Sequence, residues 1–122
     1  MKITNDYWTT PILALPVFTR LPKNKTTDVS YHLSIECSAE SSSGEKTTIT
    51  WYKDDKILSV SQRYYTDQVT NYLQILNVLL DDAGKYTCEA KNSGGTVRAS
   101  MYLTVRQRQI REYGRIIKKI EI

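Results

Sequence analysis

Residues 81–95 read Asp81-Asp82-Ala83-Gly84-Lys85-Tyr86-Thr87-Cys88-Glu89-Ala90-Lys91-Asn92-Ser93-Gly94-Gly95, and their order decides the fold. Asp81 to Gly84 is a turn signal. Its acidic side chains can bond nearby backbone, and its glycine is free to take positive φ or to let backbone approach closely. From Lys85 to Lys91, Tyr86, Cys88 and Ala90 alternate with polar residues, the period of a half-buried strand. Asn92 to Gly95 is a hairpin signal, and residues 96–105 read as the returning strand, with Leu103 and Val105 inward.

The same two-residue period recurs upstream. Leu33, Ile35 and Cys37 alternate with Ser34 and Glu36; residues 47–53 place Ile49 and Trp51 on one face; residues 72–78 do the same with Leu73 and Ile75. Residues 57–60 and 63–66 are shorter strands. Pro16 to Pro22 reads as an edge strand bracketed by prolines, where a missing N–H does no harm. Residues 24–30, the Ser/Gly-rich 39–46 and Asp54-Asp55-Lys56 read as turns. Short strands separated by turn signals about every 8–12 residues predict an all-β, antiparallel sandwich. There is no βαβ spacing and no internal repeat.

Composition agrees. A chain of 122 residues, 40% apolar and 25% charged, has room for one core. Residues 106–122 hold six Lys/Arg against two Asp/Glu, which is the whole net charge of +4. The rest is balanced and has no basic stripe for nucleic acid. No apolar run approaches the roughly 18–20 residues of a membrane span, and Ile12 to Leu15 is too short for the core of an export signal.

Four residues then fix the sandwich type. Cys37, Trp51 and Cys88 occur in the order Cys, Trp, Cys on three strands, and Tyr86 stands two residues before the second cysteine. In an immunoglobulin sandwich the cysteine strands face each other across the core, the tryptophan packs on the pair, and the tyrosine hydroxyl bonds back toward the preceding turn. Cys37, Trp51, Gly84, Tyr86 and Cys88 are the expected structural core.

Residues 81–95, Trp51-Tyr52-Lys53-Asp54-Asp55-Lys56-Ile57-Leu58 and Pro16-Val17-Phe18 closely resemble I-set immunoglobulin domains of the giant muscle and cytoskeletal proteins: titin, twitchin, obscurin and the myosin light chain kinase tail. The resemblance covers about residues 16–105, leaving 1–15 as a lead-in segment and 106–122 as a basic tail or linker. It implies a salt bridge between Arg63 and Asp82. It also implies a non-catalytic module for protein–protein interaction or mechanical spacing, cytoplasmic and sarcomeric, in some members beside a kinase. Partners would be other proteins or neighbouring immunoglobulin or fibronectin-like domains, met through the first and last strands as edges. The alternative is one domain of a cell-surface adhesion molecule or receptor ectodomain.

Cys37 and Cys88 could form a disulfide or remain a reduced buried pair. The absence of an export signal, and the intracellular relatives implied by the resemblance, favour the reduced pair. No cofactor or metal is expected, since two cysteines and His32 do not make four ligands. His32 and Cys37 are five residues apart on one strand, so they point to opposite faces and make no nucleophile pair. Asp54-Asp55 and Asp81-Asp82 are turn residues before they are calcium ligands. Asn24-Lys25-Thr26 is an N-glycosylation sequon that matters only in an exported chain. In the tail, Ile110, Tyr113, Ile117 and Ile120 have helical spacing, with Arg111, Arg115, Lys118 and Lys119 on other faces. Such a helix could bind a partner or an acidic membrane. Gly114 weakens it, and a linker or the start of a next domain reads equally from the same residues.

Overall fold

The structure is a computed structural model that describes residues 14–107. Ten strands are found among the described residues: β1 Val17–Arg20, β2 Lys25–Asp28, β3 Leu33–Ile35, β4 Ser38–Glu40, β5 Thr48–Lys53, β6 Lys56–Ile57, β7 Tyr64–Thr66, β8 Leu73–Ile75, β9 Gly84–Asn92 and β10 Gly95–Arg106. They build a five-stranded sheet ordered β2-β10-β9-β5-β6, a three-stranded sheet β3-β8-β7, and the pair β1-β4. The five- and three-stranded sheets bury a common core: Ile35, Leu73 and Ile75 from one, Trp51, Tyr86, Cys88 and Met101 from the other. Each large apolar side chain so buried contributes about 1.5–3 kcal/mol.

The alternation read from the sequence sets which face is inside. Tyr86, Cys88 and Ala90 are fully buried on β9, while Lys91 between them and the hairpin is exposed. β5 and β10 flank β9 in antiparallel register, with Trp51 and Ala99 opposite Cys88. The β5–β6 turn is a two-residue hairpin with Tyr52 opposite Ile57 and Lys53 opposite Lys56. Both loop residues, Asp54 (φ 50) and Asp55 (φ 70), are left-handed, the twist such a hairpin needs.

The N-terminal third departs from the reading. Residues 24–30 were expected to be a turn, but Lys25–Asp28 is β2, and it runs parallel to β10. After β1 the chain crosses from β4 to the other sheet, and buried Pro22 marks the crossing. A proline cannot donate to a ladder, so pairing stops there and restarts beyond it. As a result the last strand is not an edge: β10 is flanked by β9 and β2. The expected continuous strand through Cys37 is split into β3 and β4, and β4 takes the beginning of the expected loop. Residues 58–60 form no strand. Among the described residues no helix is long and apolar enough to cross a membrane.

Candidate functional site

The centre of the sandwich is a covalent bridge. Cys37 and Cys88 are joined (S–S 2.06 Å, Cα–Cα 6.6 Å), which corrects the expectation of a reduced pair. The geometry permits the bond: β9 and the β3–β4 junction face each other across the core at a Cα separation within the range a disulfide spans. Trp51, fully enclosed beside the bridge, donates its indole N–H to the Asn71 carbonyl at 3.0 Å.

A polar knot closes one end of the core. Tyr86 donates its hydroxyl to the Asp82 carbonyl oxygen at 2.5 Å, which pins the start of β9 to the 3-10 turn Leu80–Asp82. Arg63 grips the Asp82 carboxylate with two nitrogens, at 2.8 and 3.0 Å. The second Asp82 oxygen also accepts the Leu79 N–H at 2.7 Å, and the Tyr64 hydroxyl donates to the first. Asp82 is only 1% exposed, so these bonds replace its water. Burial pushes its carboxyl upward, but Arg63, the Leu79 N–H and Tyr64 together outweigh that and hold it below the usual range. The same hydrogen bond raises the Arg63 guanidinium, while burial raises Tyr86.

Gly84 sits where this turn becomes β9. Its φ is +148, and a Cβ there would lie 2.8 Å from Asp54 Oδ1. That carboxylate is held in place, since Oδ1 accepts the Lys85 N–H at 3.0 Å and Oδ2 takes Lys53 Nζ at 2.8 Å. The Asp54 turn and the Gly84 turn are thereby clipped together. The hydrogen bond from Lys53, then that from the Lys85 N–H, lowers the Asp54 carboxyl.

Asn92 is among the structural residues that escaped the sequence reading. Asn92 was read only as part of a hairpin, yet its side chain is buried. It donates to the Ala14 carbonyl and to Ser41 Oγ, both at 3.0 Å, and accepts the Gly94 N–H at 2.7 Å. Asparagine before Ser-Gly was a turn signal, but its role in tying three segments together had none. His32 is exposed and meets Gln74 Oε1 at 2.8 Å. Ile110, Arg111, Tyr113, Arg115, Ile117, Lys118, Lys119 and Ile120 lie outside the described residues. Among the described residues no three His, Cys, Asp or Glu side chains gather as a metal site.

On the β6–β7 side, open strand edges and exposed apolar side chains coincide. β6 ends the five-stranded sheet and β7 ends the three-stranded one. Between them an apolar cleft opens, lined by Trp51, Leu58, Tyr64 and Leu73 and rimmed by Ile57 (65% exposed) and Val60 (77%).

This architecture belongs to a defined class. The immunoglobulin I-set domain family model matches residues 16–105, and the chain belongs to that family. It is 33% identical over 96 residues to human leucine-rich repeats and immunoglobulin-like domains protein 1, a match covering 79% of this chain and 8% of that protein. Among solved structures it is similar to the twitchin kinase region of C. elegans (35% identity, TM-score 0.66, covering 74% of this chain and 16% of that one). It is likewise similar to extracellular domains 3–5 of Drosophila OTK (30% identity, TM-score 0.68, covering 75% and 32%). The chain spans under a tenth of the length of the curated relatives it matches.

Proposed function

We propose that the chain is a non-catalytic immunoglobulin module that spaces and docks proteins in the extracellular part of a larger multidomain chain. The observation that carries this reading is the Cys37–Cys88 bond. Structural disulfides persist in oxidising compartments and are rare in the cytosol. The similarity to an extracellular fragment of OTK supports the same location. Docking falls to the β6–β7 side, where free backbone N–H and C=O groups lie beside an apolar cleft. Antibodies against residues 16–105 should stain intact, unpermeabilised cells of the source tissue. Staining that requires permeabilisation would sink the extracellular reading.

The second reading is a spacer in an intracellular muscle or cytoskeletal protein beside a kinase. The 35% identity to the twitchin kinase region is what favours it. It requires Cys37 and Cys88 to be reduced in the cell.

A further inference from the structure

We propose that Asn24 carries an N-linked glycan, at the head of the edge strand β2. The proposal rests on the extracellular reading above. Asn24-Lys25-Thr26 is the chain's one Asn-x-Ser/Thr triplet, and Asn24 is exposed immediately before β2.

The structure uses one half of the Asn24 amide and leaves the other. Oδ1 accepts the Tyr102 N–H at 2.7 Å, one rung ahead of the backbone register that pairs Lys25 with Leu103. An N–H donor needs the oxygen, so this contact fixes which way the amide points. Nδ2 then has no hydrogen-bond partner among the described residues. Asn92 is the opposite case, its Nδ2 spent on Ala14 and Ser41 inside the fold.

Glycosylation needs only the free half. Nδ2 attacks the anomeric carbon of a polyprenyl-pyrophosphate-linked oligosaccharide. The new N–C bond forms as the C–O bond to pyrophosphate breaks, Nδ2 gives up one proton, and the lipid pyrophosphate leaves. Oδ1 is untouched, so the bond from Tyr102 survives in the glycoprotein.

Topology keeps the triplet accessible when the sugar is added. β2 pairs only with β10, and Asn24 and Tyr102 are 78 residues apart. At synthesis rates of about 5–20 residues per second, Asn24 waits roughly 4–16 s before its partner strand exists. Afterwards the glycan shields the β2 edge from strand addition, leaving β6 as the free edge of that sheet.

The test expresses residues 1–122 behind a cleavable leader in insect cells. An N-glycan amidase should lower the mass of the secreted protein and leave an aspartate where Asn24 stood. Thr26→Ala and Asn24→Asp should both be secreted at bare mass; the second keeps an acceptor for Tyr102, so folding is retained. Wild-type protein that is secreted with Cys37–Cys88 oxidised, yet at bare mass, overturns the glycan and leaves the extracellular reading standing. Protein from native tissue with free thiols and no glycan overturns both.

Discussion

Asp82 is the side chain whose loss should be felt most at one end of the core. It is 1% exposed and holds Arg63, the Leu79 N–H and Tyr64 together. Removing one partner of a buried pair costs about 3–5 kcal/mol. The Arg63 side chain keeps 30% exposure, which discounts that figure. We expect Asp82→Ala to lose about 2–4 kcal/mol in urea unfolding. The pH dependence follows from its lowered carboxyl. Asp82 stabilises fully above its unfolded value, about 3.9, and loses that contribution as pH falls through its lower folded value. The stability gap between wild type and Asp82→Asn should therefore be widest near neutral pH and shrink below about pH 4. Gly84→Ala should destabilise by more than about 1 kcal/mol, because φ +148 is strained for alanine and its Cβ meets Asp54 Oδ1. Adding Asp54→Ala should not restore stability, since it removes the clash but also the bond from the Lys85 N–H, and it puts alanine at φ 50.

At the scale of elements, the clearest test is the β5–β6 hairpin. Both Asp54 and Asp55 are left-handed, a conformation that favours glycine in the second place. Asp55→Gly should raise stability by about 0.5 kcal/mol in the same unfolding assay. The exposed Lys85–Asp55 ion pair it removes is worth little. Strands with a clean apolar period, such as Tyr86-Thr87-Cys88-Glu89-Ala90, were legible in the sequence because Tyr86, Cys88 and Ala90 all face the core. β2 was not legible. Lys25-Thr26-Thr27-Asp28 has no apolar alternation, and its pairing partner lies at the far end of the chain. β4 was hidden for a similar reason: Ser38-Ala39-Glu40 is short, polar and paired only to β1. Arg63 and Asp82 meet, yet no local spacing joins residues from different turns; only the family resemblance brought them together. Asn92 gave a turn signal and no sign of its buried contacts.

For the whole molecule, the bridge between the layers dominates. It closes a loop with a sequence separation of 51, which in the chain-entropy picture stabilises by about 4 kcal/mol. For a domain of this size, reduction should lower Tm by about 15 °C or more in a calorimetric scan. The buried Cys–Trp–Cys arrangement was legible in the sequence because its residues are rare and sit on strands that must face one another. Its oxidation state was not, since a buried thiol pair and a disulfide occupy the same positions. That state separates an extracellular module from a cytoplasmic one. The most direct measurement is mass spectrometry of the parent protein, alkylated in native tissue lysate without reductant and then digested. A Cys37 peptide linked to a Cys88 peptide is expected, with neither cysteine alkylated. Recovery of both as alkylated, unlinked peptides would contradict that expectation.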